Sequence, residues 1–343
     1  MRLWVDNRYA ARFWRRFAAP TRNWGLADRQ NGSVLGVLVG FAIIGVVILA
    51  GYLIARARLL GDDQQRVQFA LSRLAFFVLS PCLLFTVLAR ADVHELFSRV
   101  LAVSALSAIA VIVVYFVIAR VFWKRSLPQA VIGSASSGYV NANNIGLPVA
   151  VYVLGNAALS APVILLQVVV LAPIILTTLD VSTSGRVSIG RVLLQPVRNP
   201  LIIGVVLGVI VAITHVTIPT PVLAPFVLVG GAAVPVVLLS FGMSIHGQRL
   251  LEAGTDRRDV VLASILKLVV MPGIAWSVGH LVFGLDGTAL FGVVLLAALP
   301  TAQNVFNYAQ RYDSGVTLAR DTVLITTIGS VPILVLAAAL LKR

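Results

Sequence analysis

Two short polar stretches lie inside apolar segments, and both combine helix-interrupting residues with residues that bind ligands. The first runs from Ser137 to Pro148 and contains three asparagines, two glycines and a proline. The second runs from Leu299 to Asn307 and contains a proline, a glutamine and two asparagines. In a helix interior, glycine costs about 1 kcal/mol and proline about 3 kcal/mol relative to alanine. We therefore expect a helix to break at each stretch.

A broken helix at membrane depth offers a particular chemistry. The second half-helix begins with backbone N–H groups that have no intrahelical partner and carry a partial positive charge, and such a terminus binds carboxylate or phosphate. The amide side chains can bind the same ligand or, alternatively, can hydrogen-bond neighbouring helices. The sequence thus predicts a site for a small organic anion. The candidate binding residues are Asn141, Asn143, Asn144, Gly146, Pro148, Pro300, Thr301, Gln303, Asn304 and Lys267.

Two cations lie within apolar segments, whereas no Asp or Glu falls near the middle of one. A cation at a helix centre is costly unless it is paired. Arg73 is close to the start of its segment and can extend to the interface, so a structural role is favoured over substrate binding. Lys267 is deeper, and for it the two roles remain equally open.

The elements that must position these residues are membrane spans. The chain has 343 residues, of which 59% are hydrophobic and 12% are charged, with a mean hydropathy of +0.97. A span needs about 20 apolar residues, and ten such segments can be delimited. The net charge of +14 is spread between them, which favours membrane topology over nucleic-acid binding. The predicted spans are 33–55, 67–88, 99–123, 128–154, 159–180, 197–213, 221–246, 258–283, 286–311 and 316–341.

The positions of the prolines and polar breaks predict an internal repeat. Pro81 in span two corresponds to Pro235 in span seven, and the break in span four corresponds to the break in span nine. A repeat of five spans is odd, so the second copy is inverted. The predicted units are an Arg- and Trp-rich N-terminal extension (1–32), a first five-helix repeat (33–180), a cytoplasmic linker (181–196) and a second repeat (197–343).

Orientation follows from the basic residues of the connecting loops. The odd-numbered loops hold nearly all of them, whereas the even-numbered loops hold only Arg90 and Arg99. The positive-inside rule therefore places the odd-numbered loops in the cytoplasm and both termini outside a cell inner (plasma) membrane. The arginine-rich residues 1–32 oppose this orientation, because they would have to be translocated.

At the two polar stretches the sequence resembles the auxin efflux carrier family, which includes plant auxin exporters and bacterial membrane transport proteins. Residues Asn143 to Pro148 are similar to the family's Asn-x-Gly-x-Pro pattern. Residues Ala298 to Tyr312 are similar to its span-nine signature, with Leu-Pro, a following Phe and a closing Ala-x-x-Tyr. The resemblance covers about 33–343. This sequence lacks the long cytoplasmic loop that the plant exporters have.

The resemblance implies ten spans, a scaffold part and a mobile transport part that moves like an elevator. It implies broken helices crossing at Pro148 and Pro300, in a fold similar to that of the bile acid:sodium symporters. It also implies that Asn143, Asn144 and Asn304 lie beside the substrate carboxylate.

The resulting hypothesis is a secondary transporter, an efflux carrier for a small mono- or dicarboxylate working by alternating access. The alternative is a sodium- or proton-coupled organic-anion importer on the same fold. An intramembrane enzyme is disfavoured because no His-Glu-x-x-His motif and no pair of midspan carboxylates is present. We expect no cofactor, no metal and no nucleic-acid partner. Membrane lipid is an expected partner. A homodimer is one of the oligomeric states left open.

Overall fold

The computed structural model describes residues 34–91, 99–184, 199–246 and 257–341. The predicted N-terminal extension and residues 185–196 of the predicted linker lie outside the described residues. Within those ranges the regular structure is helical, apart from one isolated antiparallel bridge between Val140 and Thr301.

We number the helices in chain order. They are α1 (Val34–Arg56), α2 (Gln64–Leu88), α3 (Leu101–Phe122), α4 (Leu127–Gly138), α5 (Ala142–Gly146, continuing as Leu147–Tyr152), α6 (Ala157–Thr183), α7 (Pro200–Thr214), α8 (Thr220–Ile245), α9 (Arg257–Val282), α10 (Gly287–Ala297), α11 (Gln303–Arg311) and α12 (Val316–Leu341).

Seven of the helices in the described ranges are long and apolar enough to cross a membrane, namely α1, α2, α3, α6, α8, α9 and α12. Large apolar side chains remain exposed on their outer surfaces, among them Val46, Leu228 and Leu281. Exposed apolar surface of this extent is typical of a protein that contacts lipid. The chain is therefore a helical, multi-pass membrane protein. In the regions of predicted spans four, six and nine the helices are shorter or interrupted.

Helix starts follow local sequence signals. The Asp63 side chain accepts a hydrogen bond from the Arg66 backbone N–H at 3.0 Å, which caps the N-terminus of α2. The Asn199 side chain accepts from the Leu201 N–H at 2.9 Å, and Pro200 occupies the first helical position of α7, where a missing N–H costs nothing.

The helices pack as two groups. In the first helix group, α8 packs on α1 and α2, and α2 packs on α7. In the second helix group, α3, α4, α6, α9, α10, α11 and α12 pack on one another. The short α5 contacts α1 and α8 of the first group and α6 of the second, and thereby joins the two groups.

A close helix crossing holds the first group together. A Cβ atom added at Gly51 of α1 would collide with the backbone carbonyl of Leu239 in α8. A Cβ atom at Gly242 of α8 would likewise collide with the Ile48 carbonyl of α1. Small residues at membrane helix interfaces allow backbones to approach in this way.

Candidate functional site

The first break separates α4 from α5. Helix α4 ends at Gly138, after which Tyr139 adopts an extended conformation with φ −89° and ψ 101°. The Asn141 side chain accepts a hydrogen bond from the Asn144 backbone N–H at 3.2 Å and so caps the first turn of α5. The Asn-rich sequence therefore supplies its own cap for the new helix start.

The second break separates α10 from α11. Helix α10 ends at Ala297, and Pro300 follows, which cannot donate a backbone hydrogen bond. Ala302 is extended, with φ −70° and ψ 139°, and no side chain caps the start of α11 at Gln303. The two half-helix N-termini thus differ, since that of α5 is capped by Asn141 and that of α11 is open.

The two breaks contact each other directly. The Asn141 N–H donates to the Pro300 carbonyl at 2.8 Å, and the Ala302 N–H donates to the Tyr139 carbonyl at 2.9 Å. Because non-helical backbone at membrane depth must be satisfied by protein or water, this pairing stabilises both breaks at once.

Neighbouring helices satisfy the remaining backbone groups of the pair. Gln167 of α6 donates from Nε2 to the Val140 carbonyl at 2.8 Å. The Thr301 N–H donates to Thr326 Oγ1 of α12 at 3.1 Å, and its own hydroxyl donates to the Ser136 carbonyl at 2.6 Å. Both breaks are therefore tied to α4, α6 and α12.

A cavity of about 730 Å³ opens beside the paired breaks. Residues from α2, α5, α6, α7 and α11 and from both breaks line it. The polar and charged lining residues are Gln68, Ser72, Arg73, Tyr139, Asn141, Asn143, Asn144, Gln167, Asn199, Gln303, Asn304, Asn307 and Tyr308.

The charge of this lining is positive. Among the described lining residues, Arg73 is the only charged one and none is acidic. The fully buried aspartates lie elsewhere, where Arg125 pairs with Asp259 at 2.6 Å and Arg320 pairs with Asp321 at 2.9 Å. The cavity is therefore suited to an anion and offers a cation no carboxylate.

Two polar atoms near the first break have no hydrogen-bond partner within the described ranges. They are Nδ2 of Asn141, a residue that is 3% exposed, and Oδ1 of Asn143. A buried polar group without a partner costs about 1–3 kcal/mol. A bound ligand or water in the adjoining cavity can supply the missing partner to the Asn141 donor.

Lys267 lies in a different place. Its side chain is fully buried in α9, and its Nζ donates to the Ala297 carbonyl at 2.6 Å and contacts Met271 Sδ at 3.2 Å. Ala297 is the last residue of α10, so Nζ lies at the negative end of that half-helix.

A family model described as membrane transport protein matches residues 37–337. The chain belongs to this family. It is the auxin efflux carrier-type family that the two polar stretches indicated, and the chain is therefore a membrane transporter and not an enzyme.

Two curated relatives of this transporter have been found. One is the "Putative malonate transporter" of Rhizobium meliloti (strain 1021), which is 26% identical over 306 residues, covering 87% of this chain and 92% of the relative. The other is the "Uncharacterized protein YbaS" of Bacillus subtilis (strain 168), which is 30% identical over 99 residues, covering 29% of this chain and 32% of the relative.

The structure brings five of the ten candidate residues of this transporter to the cavity, namely Asn141, Asn143, Asn144, Gln303 and Asn304. Pro300 and Thr301 lie behind them, where their backbone pairs with that of Asn141 and Val140. Gly146, Pro148 and Lys267 do not line the cavity.

Two of these residues have packing roles. Gly146 packs against Leu299, whose Cδ1 would lie 2.8 Å from an added Cβ. Pro148 is buried in α5 and takes no part in the strand-like contact, which pairs residues 139–141 with 300–302.

Several lining residues were not among the candidates. Asn307 and Tyr308 follow Asn304 at helical spacings of three and four residues, so that periodicity could have identified them. Gln68 and Ser72 carry no comparable signal, because only the packing of the helices brings this part of α2 to the cavity.

Proposed function

We propose that this transporter is a secondary carrier that exports a small organic anion, a mono- or dicarboxylate, by alternating access. The observation that carries the proposal is the cavity itself. Its lining combines the open N-terminus of α11, amide side chains from both breaks and one arginine, without an acidic residue in the described part of the wall. Helix N-termini and amide donors of this kind bind carboxylates.

The curated relative supports a carboxylate as the anion. The name of that relative refers to malonate, a dicarboxylate, and the match covers 87% of this chain and 92% of the relative.

For the architecture we propose ten spans arranged as an inverted repeat of five, with the two broken helices crossing at their paired backbones. On this proposal α4 with α5 forms the fourth span and α10 with α11 the ninth, while α7 is a short sixth span. The matching positions of Pro81 and Pro235 in α2 and α8 support the repeat.

For the mechanism we propose an elevator-like movement. The second helix group, which contains both breaks, moves against the first helix group and carries the anion with it. The division of the packing into two groups, joined mainly through α5, supports such a rigid-body displacement. We also propose a location in the inner membrane with the odd-numbered loops in the cytoplasm.

Transport of labelled malonate into proteoliposomes tests the function. Asn304→Ala and Asn144→Ala should each lower the apparent malonate affinity about 10- to 100-fold, because hydrogen bonds to a charged group contribute about 1.5–3 kcal/mol. Gln310→Ala is the matched control, since Gln310 lies on α11 but does not line the cavity. Wild-type rates in both asparagine variants, with normal membrane insertion, would contradict the site assignment.

The same assay distinguishes the proposed exporter from the alternative, an importer coupled to sodium or protons. The Ala297 carbonyl at the end of α10 already accepts a hydrogen bond from Lys267 Nζ at 2.6 Å, which argues against a sodium ion at that half-helix terminus. We therefore expect the malonate flux to be unchanged when a sodium gradient is imposed. Acceleration by the gradient would support the coupled importer.

A further inference from the structure

Arg73 has surroundings that the sequence did not predict. Its guanidinium carbon lies 5.8 Å from the ring centre of Phe69 and 5.7 Å from that of Phe77. All three residues project from α2 and line the cavity. The two rings hold the guanidinium group by cation–π attraction and restrict its orientation.

The charge of Arg73 is not neutralised by the protein in the described part of the chain. No carboxylate within those residues approaches Arg73 to ion-pair distance, and its guanidinium group lies against the two phenyl rings. The Arg73 side chain is exposed to the cavity and not enclosed by protein, so a ligand can reach the guanidinium group. An ionisable residue within a membrane-spanning segment commonly marks a substrate pathway.

Hydrogen bonds fix the part of α2 that carries Arg73. The Ser72 hydroxyl lies 2.6 Å from the Ser240 hydroxyl of α8, and Gln68 donates to Ser72 at 2.9 Å. The arginine therefore belongs to the first helix group, whereas Asn304 and the start of α11 belong to the second. Arg73 therefore reaches the cavity from the first helix group, and the start of α11 reaches it from the second.

We propose that Arg73 is a specificity-determining residue that binds a second carboxylate of the substrate, while the first lies at the start of α11. This inference rests on the proposed function and goes further, because it assigns recognition of the substrate's second charge to one residue. The planar guanidinium group can donate two parallel hydrogen bonds to a carboxylate, which a lysine cannot do.

A structural arginine that extends to the lipid headgroups is the competing interpretation. Such a side chain lies along apolar surface with its charge at the membrane boundary. Arg73 instead lies over two rings of the cavity wall, and that wall includes amides from both helix breaks. The position beside the binding groups favours substrate recognition.

The experiment compares acids of equal chain length that differ in charge. Malonate is paired with propionate and succinate with butyrate, and their apparent affinities are measured by competition in proteoliposomes. Arg73→Gln should lower the apparent affinities for malonate and succinate about 10- to 100-fold, which corresponds to one lost charge-assisted contact. The apparent affinities for propionate and butyrate should change less than about threefold. Arg73→Lys should give intermediate values, because it keeps the charge without the planar fork.

Arg66→Gln is the matched control. Arg66 lies two turns earlier on α2, pairs with Asp63 at 2.8 Å and does not line the cavity. Its removal should leave both affinity series unchanged. Thermal unfolding of each purified variant checks that the helices remain packed.

The outcomes separate this inference from the proposed function. If Asn304→Ala weakens malonate but Arg73→Gln does not, the function stands and the role of Arg73 is wrong. An equal loss for mono- and dicarboxylates in Arg73→Gln also overturns it, since the residue would then not sense the second charge. If the wild-type protein transports none of the four acids, both proposals fail together.

Discussion

The side chains around the two breaks divide into those that satisfy the backbone and those that remain available to a ligand. Gln167 and Thr326 belong to the first class, because each bonds a backbone group that the broken helices leave free. Asn141 belongs partly to the second, since its Oδ1 caps α5 while its Nδ2 has no partner within the described ranges. This division at the residue scale decides which substitutions affect stability and which affect binding.

Gln167 gives a test of the first class. Gln167→Leu would leave the Val140 carbonyl unpaired, which should lower the free energy of unfolding by about 1–3 kcal/mol. Thermal unfolding in detergent measures this loss. Thr177→Val is the control, because the Thr177 hydroxyl on the same α6 has no hydrogen-bond partner within the described residues. Equal melting temperatures for the two variants would show that the Gln167 contact contributes nothing.

At the scale of the elements, three of the half-helix termini at the breaks have different partners. The start of α5 is capped by Asn141, the start of α11 faces the cavity, and the end of α10 bonds Nζ of Lys267. A side-chain donor at a helix C-terminus satisfies carbonyl groups that lack intrahelical donors. Lys267 therefore acts on the end of α10 and does not contact an anion in the large cavity.

The role of Lys267 can be checked by replacement with an apolar side chain of similar length. Lys267→Met should destabilise the protein by about 1–3 kcal/mol, because the Ala297 carbonyl loses its donor. Ser264→Ala, one turn earlier on α9, removes a buried hydroxyl without a partner in the described ranges and should change little. The same thermal unfolding assay measures the stability of both variants. A fully stable Lys267→Met variant would contradict the capping role.

At the scale of the whole molecule, the cavity lies where the two helix groups meet. Residues of α2 and α7 form one side of its wall, and residues of the breaks, α6 and α11 form the other. A ligand held between two packed bodies can be exposed to either side of a membrane when one body moves against the other. The grouping therefore connects the packing of the helices to the proposed alternating access.

The orientation of the molecule is open to a labelling test. With Cys82 replaced by serine, a cysteine introduced at the exposed Ser126 lies in an odd-numbered loop, and one at the exposed Thr217 lies in an even-numbered loop. The positive-inside rule predicts that a membrane-impermeant maleimide labels Thr217→Cys in intact cells. Ser126→Cys should react only after the cells are opened. The reverse pattern would invert the proposed topology.

Local sequence determined the two helix breaks, because Gly138, Pro300 and the asparagine cap act through the backbone conformation of their own neighbours. It also determined the membrane class through hydropathy and the family through two short signatures. The ten-span repeat and its two units remain predictions.

Only the tertiary structure decided which polar groups are used and which are free. Gln167 reaches Val140 across 27 residues, Lys267 reaches Ala297 across 30, and Thr301 reaches Ser136 across 165. Partners at such separations depend on how the helices pack, and a local pattern carries no record of that packing. For the same reason the sequence could locate Arg73 within a span but could not show that its helix faces the cavity.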